Sequence, residues 1–167
     1  MANSLSNKGS VSVAAVIPCY KVKGTILRVV AEIGPEVGLI VLVDDACKDG
    51  TAAYVESHCN DPRIKVIRHE HNRGVGGAVM TGYKIAIEAG AQILVKVDGD
   101  GQMDTTLIPS LIQPIENGIA DYTKGNRFFF LETLSRMPKK RLIGNAILSF
   151  MNKISSGYWK IFDPTNG

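Results

Sequence analysis

The chain predicts a three-layer α/β/α sandwich with a mostly parallel central sheet, and two observations carry that prediction. Four short apolar runs recur along it, each ending in a loop rich in Asp, Asn, Gly or Pro. Segments of helical period fill the gaps, so strands and helices alternate. Alternation of this kind covers parallel strands with helices on both faces and gathers the polar loops along one edge of the sheet.

The first run, Val13-Ala14-Ala15-Val16-Ile17, stops at Pro18 and leads into Cys19-Tyr20-Lys21. A helix is expected over residues 24–33. Leu39-Ile40-Val41-Leu42-Val43 forms the second run and ends at Asp44-Asp45, with Asp49-Gly50-Thr51 opening a helix over 51–59. Thr51 or Asp49 can cap that helix, and Asp49 suits the task better. Ile64-Lys65-Val66-Ile67 is the third run, followed by His69-Glu70-His71-Asn72-Arg73-Gly74 and a helix over 76–89. The fourth, Ile93-Leu94-Val95-Lys96-Val97, reaches Asp98-Gly99-Asp100-Gly101-Gln102. A last helix over 104–117 tolerates Pro109 only in its first turn. Residues 1–12 read as a polar tail, and residues 13–167 as one domain.

With 167 residues, of which 45% are hydrophobic, the chain can bury a sizeable single core. A formal charge of +3 is too mild for a nucleic-acid footprint. Cys19, Cys47 and Cys59 have no metal-site spacing and cannot all pair, which favours a reduced, cytoplasmic setting. The amino terminus lacks the apolar centre of a signal peptide, and no run approaches the ~20 apolar residues of a bilayer span. The chain stops at Gly167, which reads as the end of a fragment; membrane segments of a longer protein would lie beyond it.

Asp98 and Asp100 concentrate the chemistry. Two carboxylates one residue apart, at the carboxyl end of a buried strand, make an oxygen-rich pocket where open α/β sheets bind ligands. Mg²⁺ or Mn²⁺ is commonly held by one or two carboxylates together with phosphate oxygens of a substrate. A solvated turn is the alternative reading, since Asp and Gly are also what turns use. In Asn72-Arg73-Gly74-Val75-Gly76-Gly77, glycines permit close backbone approach to a ligand or simply make a tight helix entrance.

The order of these motifs resembles glycosyltransferase family 2, inverting nucleotide-sugar transferases of the GT-A fold. The matching stretches are Ile17-Pro18-Cys19-Tyr20, Asp44-Asp45 through Thr51, Asn72-Arg73-Gly74 through Ala78, and Asp98 through Gln102; Gly125-Asn126-Arg127-Phe128 and Asp163-Pro164-Thr165-Asn166-Gly167 look like later signatures. Within the family the chain looks most like the dolichol-phosphate mannosyltransferase branch, which moves sugars onto polyprenyl phosphates. The resemblance implies a UDP- or GDP-sugar donor and a Mg²⁺ or Mn²⁺ ion on Asp98, Asp100 and Gln102. It implies donor contacts at Pro18, Tyr20, Asp44, Asp45, Asn72, Arg73, Gly74 and Asp98. Two departures stand out: Val75 where Lys is frequent, and Cys47 where Ser is usual.

On the acceptor side the resemblance places Arg127 and Arg141 against a lipid phosphate, and a guanidinium fork suits phosphate bidentately. A saccharide acceptor would instead need a carboxylate to take its proton, and Asp163 is the candidate. Leu142, Ile143, Ala146, Ile147, Phe150, Met151 and Ile154 form one helical stripe flanked by Arg136, Lys139, Lys140, Arg141 and Lys153. Such a helix can lie on the cytoplasmic face of a membrane as a peripheral contact, or pack against the sheet edge. Two other classes fit less well. A receiver-like signalling domain wants its acidic pair after the first strand. A nucleotidyltransferase wants a Gly- and Arg-containing loop there, and Pro18-Cys19-Tyr20-Lys21 is neither.

Overall fold

The computed structural model describes residues 13–125 and, further along, 144, 147, 148, 150, 151, 153–155 and 157. Four strands, β1 (Val13–Cys19), β2 (Leu39–Asp44), β3 (Ile64–Arg68) and β4 (Ile93–Lys96), alternate with α1 (Ile26–Glu32), α2 (Thr51–His58) and α3 (Gly74–Glu88). A 3₁₀ turn at Thr105–Leu107 then runs into α4 (Ile108–Glu116). The sheet has the order β3-β2-β1-β4, and every pairing is parallel. The chain therefore steps outward from β1 to β3 and returns to the other side of β1. Loops leaving β1 and β4 diverge at that reversal, which is where open sheets of this type leave a crevice.

Register brings the loops level. Cys19 pairs with Asp44 and Asp44 with Arg68, so three strands end in one row. On the other side Val16 pairs with Lys96, and Val97 N–H donates to the Val16 carbonyl at 3.0 Å.

β1 and β2 hold the core, as continuous apolar strands covered on both faces should. Ala14, Val16, Val41 and Val43 pack with Ala78 and Ala86 of α3. Each Val or Ile side chain buried in this way contributes about 1.5–3 kcal/mol. Helix α3 comes close because Gly82 presents no side chain: a Cβ there would overlap Val16 Cγ1. β3 departs from the expected two-sided cover. Lys65 is exposed and its neighbours are only half-buried, because β3 is an outermost strand of the described sheet.

The helices follow the expected segments with local corrections. α1 starts at Ile26 because Val22 to Ile26 first make a tight turn, with Thr25 and Ile26 N–H both donating to the Val22 carbonyl. Its far end is tied off by Arg63, whose guanidinium donates to the carbonyls of Gly34 at 2.7 Å, Val37 at 3.1 Å and Ile33 at 3.3 Å while pairing with Asp61. Carbonyls left over at a helix end need such partners. Pro109 is the second residue of α4, where a missing N–H is harmless.

The chain divides into two compact units, Met1–Ile112 and Gln113–Gly167. The first contains the sheet and α1 to α3. In the second, residues 144, 147, 148, 150, 151 and 153–155 are helical, and Ile147, Phe150, Met151 and Ile154 of the predicted stripe are exposed. The tail 1–12 and the candidate residues Arg127, Arg141 and Asp163 lie outside the described residues. Among the described residues no helix is long and apolar enough to cross a membrane.

Candidate active site

A cavity of about 600 Å³ opens between the carboxyl ends of β1 and β4. Pro18, Tyr20, Asp45, Asn72, Gly74, Asp98 and Asp100 are among the residues that line it. Tyr20 is half exposed, and the Lys21 ammonium lies over its ring 5.4 Å from the centre.

The Asp98–Gln102 loop is held at several points. The Thr25 hydroxyl donates to the Gly99 carbonyl at 2.7 Å, and Asp98 N–H donates to Met103 Sδ at 3.4 Å. Gly99 is tucked so closely against Val22, Ile17 and Ile26 that a Cβ would sit 3.1 Å from Val22. Gly101 takes a φ of 74°, in the left-handed region that glycine occupies at little cost. Asp100 Oδ1 accepts from Gln102 N–H at 3.0 Å, and Asp98 Oδ1 lies 2.9 Å from Lys96 Nζ.

The acidic pair after β2 splits into two jobs. Asp44 is buried, and its Oδ1 accepts from Cys47 N–H at 2.9 Å. It holds the turn and is not among the cavity-lining residues. Asp45 is also buried, but it faces the cavity and is bound from three directions. Its Oδ1 accepts from Arg73 N–H at 2.8 Å and lies 2.7 Å from His69 Nδ1, while Asn72 Nδ2 donates to its carbonyl at 3.3 Å. Burial raises the Asp45 carboxyl, but the hydrogen bonds from Arg73, His69 and Gly74 outweigh it and hold the group below the ordinary carboxylate value. It is therefore a fixed anion at neutral pH.

Cys47, in a position where the resemblance expects Ser, links two loops: its Sγ accepts from Lys21 N–H at 3.0 Å. Lys21 and Ala46 have φ of 59° and 56°, both in the left-handed region although neither is glycine. Strain of this kind collects at functional loops. The side chains of Arg73 and Gln102 are exposed and do not line the cavity.

Among the described residues no three Asp, Glu, His or Cys side chains come together as a metal cage. Two carboxylates on the wall of an open cavity do suit a hard cation that takes its remaining ligands from phosphate and water. Asp98 and Asp100 would hold it, and Lys96 already partly balances the Asp98 charge.

Residues 14–167 match the family described as Glycosyl transferase family 2. The chain belongs to that family. It is 34% identical over 166 residues to the UDP-N-acetylglucosamine–dolichyl-phosphate N-acetylglucosaminyltransferase of Methanococcus voltae, covering 91% of this chain and 66% of the relative. It is 32% identical over 120 residues to the dolichol-phosphate mannosyltransferase of Pyrococcus furiosus, covering 70% of this chain and 33% of that one. The chain thus spans one third to two thirds of the length of these relatives. The structure of S. aureus TarS 1–349 in complex with UDP superposes with a TM-score of 0.52 at 23% identity, over 64% of this chain and 32% of the other. That likeness shows the fold, a GT-A α/β sandwich, as expected from the strand pattern.

Three residues that contact cavity-lining residues were not singled out by sequence reasoning: Thr25, which donates to Gly99, His69, which meets Asp45, and Lys96, which pairs with Asp98. His69 carried only a weak signal, a histidine closing an apolar run, and its partner Asp45 lies on another strand's loop. Lys96 was hidden inside a strand.

Proposed function

We propose that the protein is a metal-dependent, inverting glycosyltransferase that moves a sugar from a nucleoside-diphosphate sugar to a polyprenyl phosphate. The observation that carries this reading is the cavity lined together by Asp98, Asp100, Pro18, Tyr20, Asn72 and Gly74 at the ends of the parallel strands. Family membership and relatives named for transfer to dolichyl phosphate support it.

In this reading the exposed ring of Tyr20 offers a stacking face to the base, and the Asp45 anion accepts from a base N–H or a ribose hydroxyl. An ionised phosphate oxygen of the acceptor attacks the sugar's C1 from the face opposite the leaving group. The bond from C1 to the donor phosphate breaks, and its electron pair leaves with the nucleoside diphosphate. No base is needed, because the attacking phosphate carries no proton near neutral pH. Asp98 and Asp100 would hold a divalent ion, which would supply charge neutralisation for the departing diphosphate. Arg127 and Arg141 are assigned to the acceptor phosphate, and the exposed Ile147, Phe150, Met151 and Ile154 to the lipid surface that presents it.

Thermal shifts with UDP- and GDP-sugars, with and without Mn²⁺, test the donor half. Stabilisation by one nucleotide class only when Mn²⁺ is present is expected, and it should vanish in the Asp98→Asn, Asp100→Asn double variant. Unchanged metal-dependent binding in that variant would remove the assignment. For the acceptor half, radiolabelled donor should mark extractable lipid, with Arg127→Ala and Arg141→Ala abolishing transfer. Label in water-soluble saccharide, with Asp163 indispensable at the ~10²–10⁴-fold worth of a general base, would replace it by the saccharide reading.

A further inference from the structure

Lys96 is a charged residue inside an apolar strand. Successive side chains alternate across a strand, so Leu94 and Lys96 share one face of β4. Leu94 packs there against Ala14, Val16, Ala78 and Ala86, which makes it the face under α3. The Lys96 ammonium meets Asp98 Oδ1 at 2.9 Å, with the two side chains 21% and 33% exposed. A charge shielded to that degree needs such a partner. The partner here is one of the two carboxylates that suit a divalent ion. Asp98 and Asp100 line the cavity and Lys96 does not, so Lys96 acts on a ligand by its charge and through Asp98.

The ammonium is already a cation on an Asp98 oxygen. Two carboxylates and one ammonium leave a single negative charge to attract a dication, and hard cations bind according to the charge of their oxygen ligands. A free divalent ion must therefore share Asp98 with Lys96 or displace it. For a nucleoside diphosphate the sign reverses. Asp98 and Asp100 repel its phosphates, with Asp45 a further anion in the lining, and the ammonium offsets part of that repulsion.

We propose that Lys96 is a positioning residue that sets the order of loading: it weakens the hold of Asp98 and Asp100 on a free divalent ion and favours a nucleoside diphosphate entering ahead of the ion. The inference rests on reading the cavity as the donor site. Removing the ammonium then has opposite effects on the two ligands, strengthening the cation and weakening the anion. A salt bridge that serves only the fold predicts something different, because its loss loosens the Asp98 loop and weakens both ligands alike.

Two affinities measured on wild type and Lys96→Met test this. The first is for Mn²⁺ alone, read from the loss of the free ion's spin-resonance signal. It should be tighter in the variant by on the order of tenfold, the repulsion of a dication by one charge a few ångströms off even in a water-like dielectric. The second is for UDP and GDP in the presence of EDTA, by titration calorimetry, and it should be severalfold weaker in the variant. Lys96→Arg keeps the charge and should follow wild type in both. Lys96→Met with Asp98→Asn should lose the gain in Mn²⁺ affinity. Should the methionine variant not fold, Lys96→Gln is neutral, of similar length, and carries the same expectations. A Mn²⁺ affinity that does not rise in the neutral variant, or a metal-free nucleotide affinity that is absent in wild type or does not fall, overturns the role of Lys96 while Mn²⁺-dependent nucleotide binding persists. Absence of Mn²⁺-dependent UDP or GDP binding in wild type overturns instead the donor-site reading beneath it.

Discussion

Asp49 accepts from Thr51 N–H at 3.0 Å, from the Thr51 hydroxyl and from Lys23 N–H at 3.3 Å, so one carboxylate caps α2 and ties the loop after β2 to the loop after β1. Burial raises its carboxyl, but these bonds and one from Cys47 outweigh burial and bring it down to about 2. A lowered value in the fold means stability that is present above the ordinary carboxylate range, ~3.9, and lost as pH falls through the folded value. Asp49→Ala should therefore lower the urea midpoint at neutral pH and flatten its fall between about pH 4 and pH 2. An unaltered acid limb would show that the carboxylate is not ionised in those bonds. Cys19 behaves oppositely: burial first, then the charges of Asp44, Asp49 and Cys47, push its thiol up out of the reactive range. Alkylation at neutral pH should spare Cys19 and label it only on unfolding. The capping role of Asp49 was legible because Asp-Gly-Thr at a helix entrance has few other uses. The separate duties of Asp44 and Asp45 were not, since two adjacent identical residues differ only in which side of the strand end they leave.

At the scale of elements, α3 and β1 meet through Gly82. Elsewhere in a helix, replacing Gly by Ala gains up to ~1 kcal/mol. Here the new methyl would overlap Val16 Cγ1, and the expected result is a loss of about 1–3 kcal/mol by overpacking. Pairing Gly82→Ala with Val16→Ala should recover part of that loss, a non-additivity measurable by denaturant unfolding. Equal losses for Gly82→Ala with and without Val16→Ala would place the strain elsewhere. The four strands were readable because buried parallel strands are continuous apolar runs between turn residues. The limits of that signal lie at the flank, where β3 keeps Lys65 in solvent, and at α1, whose start is set by a turn onto the Val22 carbonyl rather than by periodicity.

For the molecule as a whole, strand order decides which loops share a cavity, and no residue pattern encodes it. Alternation predicted one functional edge. That the Asp98 loop shares a cavity with Tyr20 follows from β4 docking beside β1. Because β1 and β2 are flanked on both sides, hydrogen exchange should be slowest at Val16, Ile17, Val41 and Leu42, and faster at Lys65 and Leu94. Uniform exchange across all four strands would indicate that the sheet opens as one unit.

The same return of the chain from β3 to the far side of β1 has a consequence for biosynthesis. β1, β2 and β3 can pair as soon as residue 68 has emerged, but the other edge of β1 waits for Ile93 to Lys96, its partners across a long stretch of chain. Until then a buried, apolar strand presents unpaired N–H and carbonyl groups, the template on which chains aggregate. A chain released after residue 92 should collect in the insoluble fraction, and adding a peptide of residues 90–104 during refolding should rescue part of it. The cavity thus comes into being late, in the same event that closes this edge of β1.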